Sequence, residues 1–166
     1  FVNTFRSLRD DESFELRKVL LELKDKNASA RKVINTIIEA VCPNGGSLDE
    51  QSSQDSGTVA LSEFMDENPD ADICNLTDDQ IWFLAGMYLS NETFSRIQVD
   101  IGQWFEKQEI SDGERVDRAN DMREFIQSDI SAQINKLRNS ENQTMSFQRL
   151  FQETIKNTFE VYEVEI

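Results

Sequence analysis

The sequence predicts an all-α fold, a bundle of about six amphipathic helices. Apolar residues recur at three- and four-residue spacing along nearly the whole chain, the period of a helix with one buried face. Thr77-Asp-Asp-Gln80 and Ser111-Asp-Gly-Glu114 both read as capping boxes, with a hydroxyl at the N-cap and a Gln or Glu three residues later. Strand-like alternation is confined to Tyr162-Glu-Val-Glu-Ile166, expected to fray or form a short C-terminal strand that adds to a partner's sheet. At 166 residues the chain can bury a core without staples. The expected organisation is one helical domain over 1–166, with an acidic, loop-rich segment at 43–76.

In order along the chain, Asp10-Asp-Glu12 offers caps and acids for a first turn, and Leu16, Val19, Leu20 and Leu23 share a face, predicting a helix from about 11 to 26. Ser29 suits the next N-cap, followed by the stripe Val33, Ile34, Ile37, Ile38 and Val41, which Pro43-Asn-Gly-Gly46 should stop. Residues 43–57 are polar and rich in Ser and Gly, the composition of a surface loop, and a short helix is expected at about 59–67, ending near Pro69. The first capping box should launch a helix to about Leu89, apolar on every side and therefore central. Asn91 should begin another, with Phe94, Ile97, Ile101, Trp104 and Phe105 inward. The second capping box opens the longest predicted helix, to about Leu137, with Ala119, Met122, Phe125, Ile126, Ile130, Ile134 and Leu137 inward. Thr144 or Ser146 caps a last helix with Phe147, Leu150, Phe151, Ile155 and Phe159 inward. Trp82, Phe83, Tyr88, Trp104, Phe105, Phe151 and Phe159 fall at helical spacing, as core packing requires.

The net charge of −15 is unevenly distributed. From Val33 to Ser95 there is no Lys or Arg, yet that stretch holds twelve acids: Glu39, Asp49, Glu50, Asp55, Glu63, Asp66, Glu67, Asp70, Asp72, Asp78, Asp79 and Glu92. Such a field repels phosphate backbones, so no nucleic-acid partner is expected. It attracts cations or a basic protein or peptide surface, or else serves as a solvated face. No apolar run approaches the roughly 20 residues of a membrane-spanning helix, so no transmembrane segment is expected.

Cys42 and Cys74 are the only cysteines. Oxidised, they would close a long loop worth about 3–4 kcal/mol on the chain-entropy model; two reduced, buried thiols are the alternative. Asn27, Asn75, Asn91 and Asn142 begin N-x-[ST] glycosylation sequons, and each also sits where a helix cap is expected. The chain starts at Phe1, as a processed form or fragment would, and the reading leans to a secreted, luminal or periplasmic location.

The sequence contains no histidine, which removes imidazole bases, Ser-His and Cys-His nucleophile pairs and most catalytic zinc sites. It also lacks a P-loop, a G-x-G-x-x-G run and a C-x-x-C pair. Paired carboxylates remain as an enzymatic option, but nothing singles out two of them. No catalytic residue and no resident cofactor are expected.

Ser56-Gly-Thr-Val-Ala-Leu-Ser-Glu63-Phe64 resembles the second half of an EF-hand calcium loop. Gly57, Val59, Glu63 and Phe64 stand at the family's turn glycine, aliphatic, bidentate glutamate and following apolar positions. Ser52, Gln54 and Ser56 occupy places where the family carries its first ligands, so the resemblance implies a degenerate, calcium-responsive loop. Asp55 and Glu63, with the alternating oxygens of Asp66, Asp70 and Asp72, are the candidate metal ligands, and calcium the candidate ion.

The preferred reading is a non-enzymatic helical interaction or structural subunit, or an adaptor, docking through an acidic face within a larger assembly. The alternatives are the degenerate EF-hand-like module and a secreted helical signalling or immunity/inhibitor protein.

Overall fold

The computed structural model describes residues 1–42, 48–105, 111–139 and 147–163. Among these the fold is all-α, seven helices with no strand. They are α1 (Val2–Asp10), α2 (Glu15–Asp25), α3 (Ala30–Val41), α4 (Leu48–Glu67), α5 (Asp78–Phe105), α6 (Asp112–Asn139) and α7 (Phe147–Glu163). The chain divides into two compact units, Phe1–Tyr88 and Leu89–Ile166, and the division falls within α5.

Local chemistry sets most helix ends where the sequence places them. Ser29 accepts from the Lys32 amide at 3.3 Å and caps α3. Both capping boxes close reciprocally. The Thr77 amide donates to Gln80 Oε1 at 2.9 Å and the Gln80 amide to Thr77 Oγ1 at 3.2 Å; the Ser111 amide donates to Glu114 at 2.9 Å and the Glu114 amide to Ser111 Oγ at 3.3 Å. At the end of α2, Asn27 takes φ 49°. The Ala28 amide then reaches the Leu23 carbonyl (2.9 Å) and the Asn27 amide the Lys24 carbonyl (3.0 Å), a Schellman ending in which Asn replaces the usual Gly.

Several elements differ from expectation. The helix expected over 11–26 becomes α2 preceded by a separate α1. Asp11 Oδ1 accepts from the Ser13 amide (2.8 Å) and the Ser13 hydroxyl (2.6 Å), which turns the chain between the two helices. The surface loop expected up to residue 57 is corrected to α4 from Leu48 onward, so the acidic 43–76 segment is helical over 48–67. Its polar residues are satisfied within the helix: the Thr58 hydroxyl donates to the Gln54 carbonyl and the Ser62 hydroxyl to the Thr58 carbonyl, each at 2.8 Å. Gln54 also donates to the Cys42 carbonyl at 2.8 Å, satisfying the end of α3. Residues 43–47, including Pro43, lie outside the described residues.

Asn91 does not start a helix: α5 runs through it unbroken, and no Pro interrupts it. The strand expected from Tyr162 is also corrected. Tyr162 and Glu163 belong to α7, and the Tyr162 ring meets Phe125 edge-on at 6.0 Å; residues 164–166 lie outside the described residues.

In the first unit the core joins Phe5 and Leu8 of α1, Leu16 and Leu20 of α2, Ile34, Ile37 and Ile38 of α3, Ala60, Leu61 and Phe64 of α4, and Ile81 and Leu84 of α5. α3 packs against both α2 and α4. Gly57 has an ordinary helical backbone and marks a close approach. A Cβ there would lie 2.9 Å from Ile38 Cδ1 and 3.8 Å from the Tyr88 ring. In the second unit α6 packs against α7, burying Met122, Ile126, Ile130, Ile134 and Leu137 of α6 and Leu150 of α7. Phe83, expected inward, is 50% exposed, so the first part of α5 has a solvent side.

Because Phe5 is 1% exposed at the centre of the first unit, Phe5→Ala should cost about 3–5 kcal/mol of stability, read by denaturant unfolding. A loss below about 1 kcal/mol, within the range of surface substitutions, would mean that α1 is not part of that core.

Candidate functional site

The acidic middle segment does not present a single face. Its far end is engaged by the basic start of the chain. Arg9 Nη1 donates to Asp78 at 2.9 Å and Arg6 Nε lies 3.7 Å from the same carboxylate, while Lys24 Nζ lies 3.9 Å from Asp72. Arg17 donates to the carbonyls of Leu8 and Cys74, the latter at 2.8 Å, and so ties the end of α1 to the turn before α5. Arg6 also stands over the Trp82 ring, 5.7 Å from its centroid. Glu92 is buried in the second unit at 8% exposure. Glu92 is therefore removed from the surface, and the charges of Asp72 and Asp78 are partly offset by neighbouring cations.

The longest exposed acidic run lies on the outer side of α4. Gln51, Asp55, Val59, Glu63 and Glu67 recur every fourth residue and are all exposed, as is Asp66. A helix turns 100° per residue, which sets Val59 between Asp55 and Asp66 on one side and Glu63 on the other. Val59 is 44% exposed, an apolar point among carboxylates on a stripe about 24 Å long. Asp55 accepts from Gln51 Nε2 at 3.0 Å. No salt bridge joins Glu63, Asp66 or Glu67 to a cation among the described residues. The opposite side of the helix supplies Gly57, Ala60, Leu61 and Phe64 to the interior.

This geometry separates the candidate metal ligands. Asp55 and Glu63 sit on the outer side of a continuous helix, where an EF-hand requires a loop wrapped around the ion. Gly57, at the family's turn position, serves helix packing instead. Asp66 ends the same stripe, Asp70 is exposed in the following turn, and Asp72 caps that turn. Asp72 accepts from the Cys74 amide at 3.1 Å and Asn75 Nδ2 at 2.8 Å. Burial works against ionisation of Asp72, but the Asn75 and Cys74 hydrogen bonds, aided by the Lys24 and Arg17 charges, hold its carboxyl below the usual range. Among the described residues no group of three His, Cys, Asp or Glu side chains could hold a metal ion.

Cys42 and Cys74 are not joined. Cys42 Sγ lies 4.0 Å from the Tyr88 hydroxyl, and Cys74 is buried behind the Asp72 turn. Burial, with the nearby Asp72 charge, pushes the Cys74 thiol up and away from a nucleophilic thiolate. Two of the sequon asparagines have structural roles, Asn27 as the left-handed end of α2 and Asn75 in the Asp72 turn. The Asn91 amide nitrogen is buried within α5, and Asn142 lies outside the described residues.

Sequence reasoning missed a buried polar group in the second unit. Gln133 Nε2 donates to Asp129 at 2.6 Å and to Thr154 Oγ1 at 2.9 Å, and Asn157 Nδ2 donates to Asp129 at 3.2 Å. The signal was present: Thr154 and Thr158 share the helical face of Leu150.

The family model described as QatB, Qat anti-phage system associated protein QatB, matches residues 1–162. No curated protein and no solved structure matches the chain.

Two outcomes follow from the acidic residues. Asp72 contributes stability that is complete above the unfolded carboxylate value, about 3.9, and is lost as pH falls through its lower folded value. Thermal melts should therefore fall off below about pH 4, and Asp72→Asn should flatten that decline; an unchanged acid limb would remove Asp72 from the account. Calcium titration calorimetry should give the same heat for wild type and Glu63→Gln. A saturable heat that depends on Glu63 would restore the calcium loop.

Proposed function

Since the chain belongs to the QatB family, of proteins associated with the Qat anti-phage system, we propose that it is a non-catalytic subunit that docks a basic surface of another component of that system. The docking element is the outer side of α4. The observation that carries this reading is the run of exposed carboxylates, Asp55, Glu63, Asp66 and Glu67, on a helix that contains no Lys or Arg. With Asp72 and Asp78 beside the basic start of the chain, α4 carries the longest run of exposed carboxylates without a cation beside it.

A field of this kind speeds encounter with a positively charged surface and disfavours wrong partners. It also repels a phosphate backbone, which favours a protein over a nucleic acid. Absence of catalysis is supported by the lack of histidine and by a family description that names no reaction. Defence against phage is the biological setting the family supplies, and composition alone carried no sign of it.

Co-expression with the other components of the system, followed by affinity capture on this chain, tests the proposal. Glu63→Lys combined with Asp66→Lys should weaken the recovered contact by roughly tenfold or more, and wild-type capture should fall as salt rises. Capture unaffected by both the reversal and ionic strength would move the contact to another surface.

A further inference from the structure

The pairing of α6 with α7 is unusual in what it buries. Sequence periodicity turns Ile155 and Phe159 inward, yet both are only half-buried, and among the described side chains of α7 the deepest are Leu150, Thr154 and Thr158, each at 0% exposure. Two hydrogen-bonded rungs cross between the helices there. Gln133 reaches Thr154 Oγ1 at 2.9 Å, and one turn away Asn157 reaches both oxygens of Asp129 at 3.2 and 3.3 Å. The rungs match an antiparallel pair, 129 with 157 and 133 with 154.

Two consequences follow from general chemistry. Polar groups across a helix interface are satisfied in one register only. Sliding α7 by one turn would break both rungs, so they fix position as buried polar residues do in coiled coils. Such groups also contribute less net attraction than well-packed apolar side chains of the same size, and a buried group left without a partner is a standing cost. Gln133 carries that cost here: its Nε2 makes two bonds, whereas its Oε1 is buried with no hydrogen-bond partner.

We propose that this polar seam makes α7 a register-locked but weakly held helix, built to open from α6 as one unit and to return to a single position. Opening would uncover Leu150 and the Asp129–Gln133 turn of α6 while leaving the rest of α6 helical. The device is independent of the α4 docking face. Elements that move in binding or switching are drawn from the less stable part of a fold, and α7 has the construction of such an element.

Hydrogen exchange of the full chain, followed by mass spectrometry, tests this directly. Fragments from 147–163 should exchange about tenfold or more faster than those from 122–137. Replacing the seam with apolar side chains of similar volume, Gln133→Leu with Thr154→Val, should slow α7 exchange by about tenfold with α6 little changed. Asn157→Ala removes the other rung and should speed α7 exchange while circular dichroism reports the helices intact. The proposal is overturned if α6 and α7 of the wild-type chain exchange at a common rate. It is equally overturned if Asn157→Ala leaves α7 unchanged, or if a folded apolar double variant leaves α7 exchange as fast as before.

Discussion

Charge held across a long stretch of chain organises the first unit. Arg9 meets Asp78 69 positions away, and Arg17 meets the Cys74 carbonyl 57 positions away. Arg17 also donates to the Leu8 carbonyl at the end of α1, where helix carbonyls lack partners of their own. One guanidinium thus closes the open end of a helix and fastens it to a distant turn, using the fork of donors that distinguishes Arg from Lys. With α1 and the start of α5 held this way, Phe5, Leu8, Leu76 and Ile81 can be buried together.

The same clamp decides where negative charge is left over. Asp72 and Asp78 are partly offset by nearby cations, whereas α4 joins the core through Gly57, Ala60, Leu61 and Phe64. Its other side faces solvent with Asp55, Glu63, Asp66 and Glu67. Part of an acidic segment that began as a general property of the sequence becomes a narrow stripe on one helix. The family's association with an anti-phage system gives that stripe a context in which other proteins are at hand.

The second unit adds a polar device. Its α6–α7 contact sets two hydrogen-bonded pairs, Gln133 with Thr154 and Asn157 with Asp129, beside the buried Ile126, Ile130 and Leu150, whereas the first unit buries Ile37, Leu61 and Phe64. Apolar packing holds helices firmly but tolerates small slides, while directional bonds give one register with less net attraction. The two units therefore differ in how their helices are held together as well as in their residues.

The sequence by itself determined what depends on neighbours within one or two turns. That covers the helical class, the Ser29 cap, the capping boxes at Thr77 and Ser111, and the buried rows of α3 and α6. These are properties of local spacing and local hydrogen bonding, so a short window contains their cause. Only the tertiary structure decided the rest. Polar composition made residues 48–57 look like loop, because their partners, the Cys42 carbonyl for Gln54 and Ile38 beside Gly57, come from another helix. Asp66, Asp70 and Asp72 look alike in a row, and neighbours distant in sequence separate an exposed stripe from a turn cap paired with Lys24. The rotation of α7 onto its threonines was hidden for the same reason. Periodicity states which face is apolar, whereas the face that is buried is chosen by what the partner helix offers it.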